Sequence, residues 1–163
     1  MTSYLPDLAK TNIGFYLIPA ALVVALAPRA YSTGTYKTAT GGKKDMDKQL
    51  PRSFTQQVTQ DQALDTKTKG RILRAEAAIA NSIENLPLFA AAVTAGSAAG
   101  LAPSTMNGLS IGYVVVRFAY NHIYIFNDVV PPPVRSVAYF AGVGCCMAMF
   151  VQAGMAFNSR MLL

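Results

Sequence analysis

At 163 residues the chain suits a single domain. Hydrophobic residues make up 52% of it and charged residues only 13%, against roughly a quarter charged in soluble proteins, so the composition points to a membrane protein. The net charge of +6 is concentrated between Tyr31 and Arg71. That basic run has few aromatic residues and lies between apolar segments, which marks a cytoplasmic loop and argues against nucleic-acid binding.

Four apolar segments follow one another, and the reading places helices at about 13–30, 72–101, 106–127 and 134–157 of one domain spanning 1–163. In lipid the backbone amides must be satisfied internally, so the spans have to be helical. The fold class expected is therefore an all-α integral membrane bundle of four transmembrane helices.

The first segment, Ile13 to Ala27, carries no charge but is short for a span unless flanking residues extend it. Its Ala25-Leu26-Ala27 ending mimics a signal-peptide cleavage site, but Pro28 directly after it blocks cleavage, so a retained span is expected. The basic stretch at about 31–70 reads as an exposed, partly mobile cytoplasmic loop. With the next loop uncharged and the "NDVVPPPVR" loop carrying Arg135, the termini fall on the lumenal side.

The second segment begins "RAEAAIANSIENLPLF" and becomes apolar only in its second half. On a helix Asn81, Glu84 and Asn85 share one face through i, i+3, i+4 spacing, and Arg74 lies two turns away on the same side. The face holding Ala78, Ile79, Ala80 and Ile83 is apolar. An ionisable side chain in a span costs about 2.5–3.5 kcal/mol on insertion scales, so it faces a bundle interior or a watery cavity and marks function.

In the third segment Arg117, Tyr120 and Tyr124 form a stripe at i, i+3, i+7. Tyrosines alone would fit an interfacial aromatic belt, but the arginine on the same stripe would not. The fourth segment opens with Arg135 and Ser136, and Tyr139 stands four residues beyond the arginine. Arg135 alone could snorkel to the interface. Taken together, Arg74, Asn81, Glu84, Arg117, Tyr120, Tyr124, Arg135, Ser136 and Tyr139 all fall near the cytoplasmic helix ends, at a depth where they could line one polar pocket.

Cys145 and Cys146 are adjacent in an apolar run and read as small packing groups, not a bridge. His122 is the single histidine and has no second ligand at metal-binding spacing, so no metal site is expected.

Three stretches, "RAEAAIANSIENLPLF", "RFAYNHIY" and "PVRSVAY", resemble the MAPEG family, the membrane-associated proteins in eicosanoid and glutathione metabolism. The last is especially similar to the prostaglandin E synthase branch. The resemblance implies a homotrimer of four-helix subunits in the endoplasmic reticulum. Glutathione would bind between subunits near the cytoplasmic face, and a lipophilic substrate would enter from the bilayer lipids. It further implies that Asn81 and Glu84 hold glutathione's polar backbone and that Tyr120, Tyr124 and Tyr139 donate or stack along it. Arg135 then matches the arginine that stabilises the thiolate, and Ser136 the neighbouring hydroxyl. The activity implied is a glutathione-dependent transferase, peroxidase or isomerase acting on a lipophilic electrophile.

The sequence departs from the family's pattern at Ala77, where many members place an arginine that grips a glutathione carboxylate. A charge-assisted bond lost there is worth about 1.5–3 kcal/mol. Arg29, Arg71, Arg74 or a basic loop residue would have to replace it. Two alternatives keep the pocket: a glutathione-independent isomerase or cyclase of a hydrophobic metabolite, and a non-catalytic lipid-binding scaffold.

Overall fold

The computed structural model describes residues 7–128 and 130–161. Among them there is no strand, and the chain forms five α-helices. Helix α1 covers Gly14–Ala39, α2 Phe54–Gln60, α3 Thr66–Ala98, α4 Pro103–Ile125 and α5 Pro132–Met161, with a single 3₁₀ turn at Pro51–Ser53 before α2. Four helices are long and α2 is a short piece of the α1–α3 connection. Both α1 and α5 are long and apolar enough to cross a membrane.

Local chemistry sets the helix ends. The Asp65 carboxylate accepts from the amides of Lys67 and Thr68 and caps α3, while Pro103 opens α4 at a position where a missing amide costs nothing. At the other end of α3, Gly100 takes a left-handed φ of 64°. The Leu101 amide donates back to the Gly96 carbonyl, so the turn closes as a Schellman motif.

The central pair is α3 and α4, which pack on each other and are both flanked by α1 and α5, while α2 rests on α3. The main core contains Ala21, Phe89, Ala92, Val93, Met106, Tyr113, Cys146 and Met149. Within it Phe89 and Tyr113 stack in parallel, with ring centroids 4.0 Å apart. Gly96 lets α4 approach α3, because a Cβ there would lie 2.5 Å from the Met106 sulfur. Both cysteines are free thiols, Cys146 buried and Cys145 half-buried.

The stretch expected to be an exposed, partly mobile loop is largely ordered secondary structure. Helix α1 runs on to Ala39, nine residues past its expected end, and α3 begins at Thr66, six residues before its expected start. Between them Tyr36, Phe54, Val58, Leu64 and Ile72 form a second apolar cluster. Buried Asp61 accepts from Tyr36 at 2.8 Å and pairs with Lys44 at 2.8 Å. The cluster joins residues from four separate stretches, which leaves no periodic signal along the chain.

Pro28 sits inside α1. It has no amide for the carbonyl four residues earlier, that of Val24. The Asn121 side chain of α4 donates to that carbonyl at 2.8 Å.

Candidate functional site

The stripe on α4, the first turns of α5 and one residue of α3 converge at one end of the bundle. Asn81, Tyr120, Tyr124, Arg135, Ser136, Tyr139 and Phe140 line a cavity of about 310 Å³. The Tyr120 ring lies 5.5 Å from Tyr124 and 6.1 Å from Tyr139. The Arg135 guanidinium stands 5.0 Å above the Tyr124 ring, a separation at which the ring quadrupole attracts the cation. Asn81 donates its amide to the Ala77 carbonyl at 3.0 Å, which orients its side chain along the wall.

Arg135, Ser136 and Phe140 also border a second groove, completed by Pro133, Val137 and Ala141. Val137 and Phe140 are each 68% exposed. Arg135 and Ser136 thus stand where a polar cavity meets an apolar one. Among the described residues the polar cavity is lined by one cation and no carboxylate.

Six of the nine residues singled out in the sequence share this cavity, and three do not line it. Arg117 is buried beneath the stripe, with its guanidinium 4.4 Å from the Tyr120 ring centre. Its Nη2 donates to Ser82 at 3.0 Å, while Nε and Nη1 are buried without a partner. Glu84 is exposed on the outer side of α3. Arg74 donates Nε to the Ile125 carbonyl and Nη2 to Asp128, both at 2.9 Å, and so serves the α4–α5 corner.

Arg29, Arg71 and Arg74, named as stand-ins for the arginine absent at Ala77, are each already engaged. Arg29 pairs with Glu76 at 2.8 Å, and Glu76 also accepts from Ser32. Arg71 meets Asp128 through two nitrogens, at 3.2 and 2.9 Å.

Sequence reasoning missed Asp128, Ser82 and Asn121. Asp128 draws Arg71, Arg74 and Lys67 around one carboxylate. Ser82 and Asn121 relay from Arg117 to the Val24 carbonyl through bonds of 3.0, 3.0 and 2.8 Å. The available signal was a polar residue inside each of two apolar spans, together with the proline in the first.

The family model described as "MAPEG family" matches residues 12–155, from just before α1 to well into α5. The chain belongs to the MAPEG family. No curated protein and no solved structure gives a significant match. Membership makes this MAPEG protein one of a membrane family tied to glutathione and eicosanoid metabolism, whose members include glutathione transferases and related enzymes. Its long apolar helices agree with membrane association.

The cavity can be tested for its fit to glutathione by its donors. Asn81, the three tyrosine hydroxyls and Ser136 offer hydrogen bonds to a peptide backbone, and Arg135 supplies the cation an anionic sulfur requires. These groups are of the kind a peptide backbone and a thiolate could use, and Ala77, one turn before Asn81, brings no cation.

Proposed function

We propose that this MAPEG protein is a membrane-embedded, glutathione-dependent transferase, peroxidase or isomerase acting on a lipophilic electrophile. The observation that carries the reading is the position of Arg135 and Ser136 at the junction of the polar cavity and the apolar groove. In the proposed arrangement α1, α3, α4 and α5 span the membrane of the endoplasmic reticulum. The Lys/Arg-rich α1–α3 connection faces the cytoplasm, and three copies assemble into a homotrimer.

Bound glutathione would supply a thiol, whose free pKa is near 8.5 and whose thiolate is the nucleophile. The residues act on that group by position. Arg135 lowers the energy of the anion through its adjacent charge. Ser136 donates a hydrogen bond to the sulfur or to an oxygen developing charge on the electrophile. Asn81, Tyr120, Tyr124 and Tyr139 would hold the backbone, and Val137 and Phe140 would line the way for a lipophilic electrophile. Glu84, exposed on α3 and outside this lining, would act toward a neighbouring copy.

Conjugation of a generic electrophile by purified protein in detergent tests the reading. Arg135→Ala should abolish both the thiolate absorbance and turnover, and turnover that ignores this change would overturn the mechanism.

A second reading keeps the cavity and dispenses with glutathione. It is favoured by the engagement of Arg29, Arg71 and Arg74 with carboxylates of their own. The protein would then isomerise or cyclise a hydrophobic metabolite, with Arg135 and the tyrosines as donors to a developing oxyanion. Calorimetry separates the two readings. Saturable glutathione binding at millimolar concentration or below, weakened by Asn81→Ala, excludes the second.

A further inference from the structure

The corner between α4 and α5 is held from outside the cavity. Asp128 accepts from Arg71 and Arg74 at 2.9 Å and lies 3.8 Å from Lys67, so three cations from the first turns of α3 converge on one carboxylate. Arg74 adds a bond to the Ile125 carbonyl at the end of α4, and Arg71 covers the Phe126 ring at 4.9 Å. Phe126 in turn meets the edge of Tyr31 on α1 at 5.6 Å. These contacts tie the end of α4 to both α3 and α1.

From Asp128 the chain reaches Arg135 in seven residues, Pro131, Pro132 and Pro133 among them, and proline is the residue type with the least backbone freedom. The Val134 amide donates to the Pro131 carbonyl at 3.1 Å, which closes the start of α5. So short a connection, with three prolines in it, couples the position of its anchor to the first turn of α5. Arg135 and Ser136 stand on that turn.

We propose that Asp128 is a positioning residue, which acts through the α4–α5 corner to hold Arg135 over Tyr124 at the mouth of the cavity. It touches no ligand. Its carboxylate, shared among Arg71, Arg74 and Lys67, fixes where the guanidinium stands, and thereby how strongly that charge acts on the sulfur. The proposal rests on the glutathione reading only for its catalytic consequence. The mechanical link from Asp128 to Arg135 stands on the corner itself.

The test compares the full protein with Asp128→Asn, Asp128→Glu and Arg71→Lys, in detergent with glutathione added. Three readouts are followed: the pH profile of thiolate absorbance, the kinetics of conjugation of a generic electrophile, and amide hydrogen exchange in the first turn of α5. Asp128→Asn should shift the profile toward that of free thiol, with kcat falling several-fold and KM little changed. Exchange at residues 134–137 should rise about tenfold, the mark of local opening. Asp128→Glu should restore most of both signals, and Arg71→Lys, which loses the two-pronged fork but keeps the charge, should fall between. High salt should move the wild type in the direction of Asp128→Asn, because the cluster is partly exposed and screened. An Asp128→Asn protein with unchanged exchange overturns the proposal. If the wild type itself shows no thiolate signal, the glutathione reading fails, and exchange alone then decides the role of Asp128.

Discussion

Asn121 supplies the hydrogen bond that Pro28 removes. The proline leaves the Val24 carbonyl without its helical amide, and the Asn121 side chain reaches it at 2.8 Å. Asn121→Leu should therefore cost about 1–3 kcal/mol, the desolvation penalty of an unpaired buried carbonyl. In a Pro28→Ala background the residue 28 amide can take over, so the cost should shrink by more than about 0.5 kcal/mol. Unfolding of the four proteins in micelles checks this. Strictly additive losses would show that the bond contributes nothing.

Ala77 lies one turn before Asn81, whose amide it accepts. On the proposed glutathione reading, Ala77→Arg should supply a carboxylate partner and tighten glutathione binding about tenfold or more, from a charge-assisted bond of about 1.5–3 kcal/mol. Calorimetric titration measures it directly. An unchanged Kd would mean that a different group already holds the carboxylate.

Arg117 has two guanidinium nitrogens buried without partners, so its charge is costly where it sits. Replacing such a group by an apolar side chain of similar volume is often neutral for stability. Arg117→Met should thus leave the melting temperature nearly unchanged. It should still weaken ligand binding, by roughly 2- to 30-fold at most, because Tyr120 loses a cation contact of roughly 0.5–2 kcal/mol. A large drop in stability with normal binding would reverse the assignment.

Asp61 is held down to a pKa of about 2 by its hydrogen bond to Lys44, then by the Ala63 amide and Tyr36. A depressed carboxylate pKa contributes stability above the unfolded value of about 3.9, and that contribution is lost as pH falls toward 2. The α1–α3 connection should therefore resist pepsin at pH near 4 and open as the pH approaches 2. Asp61→Asn should be cut at both, since its side chain cannot pair with Lys44. Equal resistance of the two proteins near pH 4 would count against the ion pair as the fastening.

Gly96 and Gly100 answer different constraints. Gly96→Ala would drive a Cβ to 2.5 Å from the Met106 sulfur, and overpacking of this kind costs about 1–3 kcal/mol. Met106→Ala should relieve much of it. Gly100→Ala is strained by its φ of 64° whatever its neighbours do, and Met106→Ala should give no relief there. Thermal unfolding of the single and double variants separates the two cases.

Much of the candidate site was legible because a helix converts spacing into direction. The intervals between Arg117, Tyr120 and Tyr124, and between Arg135 and Tyr139, are helical repeats, so residues far apart in the chain could be assigned to shared stripes. Spacing says only which side of its own helix a residue occupies. Arg74 lies on the expected side of α3, but its long side chain reaches to Asp128 in the α4–α5 corner. Arg117 belongs to the Tyr120 stripe yet is buried beneath it, since α3 brings Ser82 within reach. The packing within the α1–α3 connection left no pattern for a related reason: Tyr36, Phe54, Val58, Leu64 and Ile72 follow no single period, and only the folded chain gathers them.

Composition and periodicity by themselves determined that this is an apolar all-helical chain with a basic connection and polar stripes, and the three quoted stretches were enough to point to the MAPEG family. Those properties are local, set by hydropathy and by the pitch of the helix. The tertiary structure decided which cations remain available and which are already paired. Arg29, Arg71 and Arg74 lie close together in composition and charge, but each meets a carboxylate only when α1, α3 and the α4–α5 corner pack. Among the described residues Arg135 is the cation that lines the cavity, because ion pairing depends on distances of a few ångströms between segments that the order of residues does not specify.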